Sequence, residues 1–137
     1  MAHRLAEIAS QSKLIAVGFD AYQIRFFELE LQRLGITLPL IAHPQGTLKS
    51  TETMLWMPRS IELTEKRLFE KTIRIQRNPC LWWNAQCAAI ETDRHQNRTF
   101  SKKRSRGAID GVVALAMAIG TSQAEVKEPP RYQLIFV

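Results

Sequence analysis

The sequence predicts an α/β fold, and three patterns near its start carry that prediction. Residues 14–19 form an unbroken apolar run of strand length, which is typical of a strand covered on both faces. Residues 38–42 form a second run of this kind. Between the two runs, apolar residues recur along 21–34 at the spacing of one helical face. A strand, a helix and a strand in this order indicate a parallel crossover unit.

Caps and breakers place the other elements of the first half of the chain. A short helix is predicted over 2–11, and Gly35 supplies the C-terminal stop of the helix over 21–34. Ser60 belongs to the residue types that cap helices, so its position predicts a helix over 61–71.

The second half ends in the clearest helix of the sequence. Before it, the pair 78–79 is an asparagine followed by a proline, which predicts a capped helix running to about residue 89. A short strand over 90–93 and a basic, hairpin-like loop over 94–107 follow. The small apolar residues of 108–119 then predict the final helix, and Gly120 is expected to stop it.

Length and composition indicate one folded domain. A chain of 137 residues with 45% hydrophobic and 23% charged residues can bury a core, which excludes a disordered segment. We assign a single domain to 1–137, with its core over 13–120 and a tail over 121–137 that contains a candidate strand.

The longest apolar run is too short to cross a bilayer, and the first residues lack a secretory pattern. A cytoplasmic location is therefore expected.

The formal net charge of +6 comes from one segment of the chain. Six basic residues and no acidic ones lie between Asp93 and Asp110, and the other 13 basic residues equal the 13 acidic residues in number. Such a cluster is commonly a solvated loop. This cluster, however, adjoins Asp110, a candidate metal ligand. We therefore expect residues 94–106 to contact the phosphates of a nucleic acid.

Asp20 and Asp110 are the two carboxylates whose positions bear on function. Asp20 follows the first predicted strand, at the end where ligands bind in open α/β sheets, but aspartate is also a common cap for a following helix. Asp110 lies in the first turn of the last helix, where the helix dipole favours a negative charge. The Asp110 carboxylate is also a suitable ligand for a hard divalent cation such as Mg²⁺. The residues alone leave both interpretations open.

Other chemistry is excluded or left without support. The chain has neither the glycine-rich phosphate loop of ATPases nor a nucleophile elbow. Cys80 and Cys87 stand about 10 Å apart along one predicted helix, so they are expected to be reduced thiols. Of Trp82 and Trp83, one is expected in the core and one half-exposed, with a base-stacking platform as the alternative. The three histidines are assigned no role.

Taken in order, four stretches resemble the C-terminal nuclease domain of the terminase large subunit of tailed phages and prophages. Together they extend over most of 13–120. They are the apolar strand ending in aspartate at 15–20, Gln45-Gly46, Asn-Pro-Cys-Leu-Trp-Trp at 78–83, and the basic run leading into Ile-Asp-Gly-Val-Val-Ala over 102–114.

The resemblance implies a ribonuclease-H-like mixed sheet flanked by helices, and a metal-dependent endonuclease that cuts double-stranded viral DNA during packaging. Asp20 and Asp110 would be its catalytic residues and its ligands for Mg²⁺ or Mn²⁺. Other terminase or portal components are the protein partners that it implies. The backbone phosphates would be held by Arg98, Lys102, Lys103, Arg104 and Arg106.

Departures from the family pattern lead to a narrower expectation. The family's first catalytic aspartate lies on a strand upstream of 14–19, and its ATPase half has no counterpart here. We therefore expect a sheet truncated at its N-terminal strands, weak metal binding and little or no cleavage. A strand over 14–19 at the sheet edge also suggests self-association. The alternative function is a non-catalytic DNA-binding or packaging-interaction module that uses 94–106, and a third is an inert prophage relic.

Overall fold

The computed structural model describes residues 2–22 and 24–124. This part of the chain contains both helices and strands, as the α/β prediction requires, and they alternate from α1 to α3. In order, the elements are α1 (Ala2–Gln11), β1 (Val17–Phe19), α2 (Ile24–Arg33), β2 (Leu40–Ala42), α3 (Met57–Phe69), α4 (Pro79–Cys87), β3 (Ile90–Thr92), β4 (Arg98–Phe100) and α5 (Asp110–Thr121).

The predicted crossover unit is present, although its strands are shorter than the apolar runs. β1 and β2 pair in parallel, with Val17 opposite Leu40, and α2 connects them. β3 and β4 form a separate antiparallel pair in which Ile90 lies opposite Phe100. The α/β class is confirmed. Within the described residues the strands form two two-stranded sheets rather than one mixed sheet.

The main core lies between α3 and α5, and α5 also packs on β1. Its members are apolar residues on the facing sides of the two helices, and a smaller cluster under α1 and α2 centres on Leu31 and Leu38. The fully or nearly buried residues of the main core are Met57, Ile61, Ile109, Val113, Ala116 and Met117.

Two glycines let α5 approach its neighbours closely. A Cβ atom on Gly18 of β1 would meet the Thr121 side chain, and one on Gly120 would meet Ser60 and His43. The prediction that Gly120 stops the last helix is wrong, because α5 continues through it to Thr121. Gly120 is required for close packing rather than for a helix end.

The other helix starts are decided by packing as well as by capping residues. Asn78 caps α4 as predicted, since its Oδ1 accepts a hydrogen bond of 3.0 Å from the backbone N–H of Leu81. Ser60 is not a cap. α3 begins at Met57, with Pro58 in its first turn, and Ser60 lies buried inside the helix. The apolar contacts of Met57 extend the helix one turn beyond the predicted start.

Two further expectations concern the tail and the membrane. The candidate strand in the tail lies beyond residue 124, outside the described residues. Among the helices of the described part, none has both the length and the apolar character needed to cross a bilayer.

Replacing Gly120 with alanine is expected to lower the free energy of unfolding by about 1–3 kcal/mol, because the added Cβ overlaps the Ser60 hydroxyl and comes within 2.8 Å of His43 Nε2. Urea denaturation measures the change. Gly46→Ala is the control, since a Cβ at Gly46 meets nothing within 4 Å. A Gly120→Ala variant as stable as the wild type would show that the helix propensity of alanine outweighs this contact.

Candidate metal centre and nucleic-acid interface

Asp110 lies in the first turn of α5, as the sequence predicted; it is the first residue of the helix, and its side chain is 77% exposed. Ile109 precedes it as the N-cap and is buried, so the start of the helix is anchored in the core. Asn84 of α4 adds a second anchor, because its Oδ1 accepts a hydrogen bond of 2.7 Å from the N–H of Gly111. The carboxylate of Asp110 is thus held at the surface by a rigid backbone.

Asp20 directly follows β1 and is partly buried. Its Oδ1 accepts a hydrogen bond of 3.3 Å from the N–H of Tyr22, in the turn ahead of α2. Since α2 begins only at Ile24, Asp20 supports this turn and does not cap a helix that starts at residue 21. The remainder of its carboxylate stays available at the carboxyl end of the parallel pair.

His43 occupies the matching position after β2 and is completely buried. Its Nδ1 donates to the carbonyl of Pro44 at 3.1 Å, and its Nε2 accepts from the Ser60 hydroxyl at 2.7 Å. These directions are those of the neutral imidazole, the form that burial favours. Burial lowers the pKa of His43 below its ordinary 6.5, and outweighs the Pro44 hydrogen bond and the charge of Asp20, which act in the opposite direction.

A polar pocket of about 360 Å³ connects the loop after β2 with the start of α5. Gln45 lines it from the loop, Val113 from α5, Glu91 from β3, and Lys102 and Lys103 from the segment after β4. Within 2–22 and 24–124, no group of three or more His, Cys, Asp or Glu side chains is placed to hold a metal ion. Asp20, at the end of β1, and Asp110, at the start of α5, therefore belong to no three-ligand cluster of these residue types within the described residues.

The basic turn, residues 102–107, is fixed by hydrogen bonds to the elements before it. Ser101 donates its N–H to the carbonyl of Ala89 at 2.8 Å, and Arg106 donates its N–H to the carbonyl of Cys87 at 3.1 Å. The Ser105 hydroxyl accepts from the N–H of Ala89 at 3.0 Å and donates to the carbonyl of Ser101 at 2.7 Å. These hydrogen bonds fix the backbone from which the basic side chains of the turn project.

The predicted phosphate-binding cations differ in how far their charge is already compensated. Arg98 makes a bidentate pair with Glu65, at 2.9 and 2.6 Å, and this interaction raises the pKa of its guanidinium. Lys102 Nζ lies 3.0 Å from Asp110 Oδ1. Among the described residues, no ion pair involves Lys103, Arg104 or Arg106, which are all exposed. These three side chains are free to meet an anion.

Sequence reasoning missed the residues that support this region. His43 was assigned no role, yet it joins β2 to α3. The detectable signal for Asn84 was that it is one of two polar residues in a mainly apolar helix. The prediction that one tryptophan of α4 is in the core is wrong, because Trp82 is 69% and Trp83 50% exposed. Both cysteines are free thiols, as predicted.

Comparison with known proteins agrees with this arrangement. A family model described as the endonuclease domain of the terminase large subunit matches residues 2–126. The chain belongs to the terminase large subunit endonuclease domain family. The terminase large subunit of Enterobacteria phage HK97 is 29% identical over 124 residues, which are 90% of this chain and 23% of that protein.

The structural comparison points to the same protein. The crystal structure of the HK97 bacteriophage large terminase matches with a TM-score of 0.76 and 28% identity, over 88% of this chain and 24% of that one. This terminase nuclease-domain chain thus spans about a quarter of the length of its relative. The resemblance to a phage terminase nuclease domain is confirmed at the level of the family.

Acidification is expected to destabilise this domain through His43. Its native pKa lies below 6.5, so the unfolded chain takes up a proton that the folded chain excludes, and the free energy of unfolding falls as the pH drops below about 6.5. The slope is at most about 1.4 kcal/mol per pH unit. Urea denaturation between pH 7.5 and 5.5 measures it. His43→Gln should flatten the profile, whereas parallel profiles would contradict this role.

Proposed function

We propose that this chain is part of a metal-dependent endonuclease domain, ribonuclease-H-like in fold, that acts on double-stranded phage DNA during packaging. The supporting observation is the position of Asp110, which stands exposed at the start of α5 in direct contact with Lys102 of the basic turn. The Asp110 carboxylate, which can bind a cation, thus lies beside the basic turn, which can bind phosphates. Asp20 supplies the second carboxylate, from the end of β1.

The donor atoms fit a hard divalent cation, since Mg²⁺ and Mn²⁺ prefer carboxylate oxygens. When bound, such a cation activates water and stabilises the leaving oxygen of a phosphodiester. Within the described residues, no group of three or more His, Cys, Asp or Glu side chains is placed to hold a metal ion, so a cation bound at Asp110 has few protein ligands. We infer that this chain alone binds the cation weakly and cuts DNA slowly or not at all.

The cation and Lys102 compete for Asp110. The ammonium at 3.0 Å neutralises the carboxylate, so a cation must displace Lys102 before it can use both oxygens of Asp110. Once displaced, Lys102 carries a free charge on the same turn as Lys103 and Arg104. Such charges contact the phosphate backbone and do not read bases, so the predicted DNA binding is independent of sequence.

A non-catalytic DNA-binding or packaging-interaction module is the second candidate function. Its supporting observation is that Lys103, Arg104 and Arg106 are without ion pairs in the described part, whereas a third metal ligand is missing from the same region. In this function the basic turn binds duplex DNA without a divalent cation. The two functions make different predictions for Asp110.

Asp110→Asn is expected to abolish the weak binding of Mn²⁺ that the wild-type chain shows in calorimetric titration, because the amide loses the charge that attracts the cation. Glu52→Gln, at an exposed site in the loop before α3, is the control and should bind as the wild type does. No Mn²⁺ binding by the wild-type chain would overturn the metal site and favour the second function. Robust plasmid cleavage that Asp110→Ala abolishes would show instead that two carboxylates suffice.

Reversing two charges of the basic turn, with Lys103→Glu and Arg104→Glu together, is expected to weaken duplex DNA binding strongly. The slope of log K against log salt should become shallower by about 0.9 for each phosphate that the variant no longer neutralises. Fluorescence anisotropy with a labelled duplex measures both quantities. The control is the pair Lys13→Glu and Arg25→Glu, which changes the net charge equally at exposed sites elsewhere. Equal weakening by both pairs would show that net charge alone drives binding.

A further inference from the structure

Helix α4 is apolar on most of its circumference, yet the structure leaves it at the surface. Seven of its nine residues are Pro, Cys, Leu, Trp or Ala, and none of the nine is buried. A helix that is hydrophobic all round is normally enclosed by other elements. Trp82, at 69% exposure, is the more exposed of the two tryptophans of α4. The exposed side of α4 is therefore suited to cover by another molecule.

An apolar groove of about 650 Å³ runs along this surface, between α3, α4 and α5. Its lining is mainly aliphatic, and three of its large apolar side chains, Leu68, Ile75 and Trp82, are exposed. The apolar side chains that define it are Leu68 of α3, Ile75 of the following loop, Leu81 and Trp82 of α4, and Val112 and Leu115 of α5.

The groove lies on a different side of α5 from the sheet and from the polar pocket. α5 turns Met117 and Thr121 toward Gly18 of β1, and Val113 toward the polar pocket. Val112 and Leu115 face the groove instead. An occupant of the groove thus adds nothing to the edge of β1 and leaves the carboxylate of Asp110 uncovered.

The chain segment that leads into the groove forms a basic rim, and no acidic residue is among those that line the groove. Residues 71–90 contain Lys71, Arg74 and Arg77 and no aspartate or glutamate. Arg77 lines the groove directly. No ion pair involves these three cations within the described part of the chain, and all three are exposed. An occupant that carries carboxylates beside its apolar side chains would complement this rim.

We propose that the groove binds an amphipathic helix of a partner protein, with apolar side chains on its inner face and carboxylates flanking them. A fourth helix can pack in the apolar groove between α3, α4 and α5. The binding of an amphipathic helix in such a groove is a recurrent mode of peptide recognition. Trp82 is the central contact, and Arg74 and Arg77 pair with the carboxylates. This inference is independent of the proposed nuclease function.

Two other occupants fit the groove less well. A second copy of this chain, docked about a two-fold axis, would bring two identical basic rims together, and like charges repel. Duplex DNA complements the charge, but its bases are stacked and offer no apolar surface to Leu68, Ile75 and Leu115. A helix with acidic flanks satisfies both the aliphatic floor and the cationic rim.

The test uses a fluorescein-labelled peptide of about 16 residues, with leucines on one helical face and glutamates and alanines elsewhere, in fluorescence anisotropy with the full chain. A matched peptide carries lysine in place of glutamate. The acidic peptide should bind at least about tenfold more tightly than the basic one. Trp82→Ala, and separately Arg74→Glu with Arg77→Glu, should each weaken its binding about tenfold or more.

Controls separate the groove from net charge and from the basic turn. Lys13→Glu with Arg25→Glu changes the net charge equally and should leave peptide affinity within about twofold, because both residues lie outside the groove. Trp82→Ala should keep its circular dichroism spectrum and its affinity for duplex DNA, since the ring is mostly exposed. Retention of both properties shows that a loss of peptide binding is local.

Three results would each overturn the proposal. The first is equal affinity for the acidic and basic peptides, or no binding of either. The second is a dimer in light scattering that Trp82→Ala abolishes, because the occupant would then be a second copy. The third is tight binding of a single-stranded oligonucleotide that is abolished in Trp82→Ala and in the double arginine variant, which would make the groove a base-stacking site.

Discussion

The close packing of α5 against α3 and β1 positions everything else in this domain. One face of α5 places Val113, Ala116 and Met117 in the core, and Gly120 allows direct contact with the next layer. The two ends of the helix consequently lie in fixed and different surroundings. Its first residue, Asp110, is exposed beside the basic turn, whereas its last turn lies against the buried His43 and the strand that leads to Asp20.

Two kinds of polar interaction stabilise this region, and they have different functional consequences. Buried or backbone-directed bonds, such as those of His43 with Ser60 and of Ser105 with Ala89, hold the framework. Exposed ion pairs, such as Lys102 with Asp110, contribute little stability and exchange readily. A fixed backbone that carries basic side chains in weak ion pairs is suited to binding a polyanion, because the polyanion can replace their partners and release its own counterions.

Much of the fold could be predicted from local patterns. The crossover of β1, α2 and β2 follows from two apolar runs and an amphipathic segment, and the start of α4 follows from Asn78 and its proline. Helix ends set by packing could not be predicted, because Ser60 and Gly120 act through contacts with His43, which is distant in sequence. The exposure of the two tryptophans could not be predicted for the same reason, since it depends on which elements cover α4.

By itself, the sequence determined the α/β class, the location of the positive charge, and the place of Asp110 at the start of the last helix. These properties depend on composition, periodicity and short-range capping, which operate within a few residues. Only the tertiary structure decided that Arg98 forms an ion pair with Glu65, that Lys102 forms one with Asp110, and that α4 lines an open groove. These outcomes depend on distances between residues far apart in the chain, and such distances are defined only once the helices have packed.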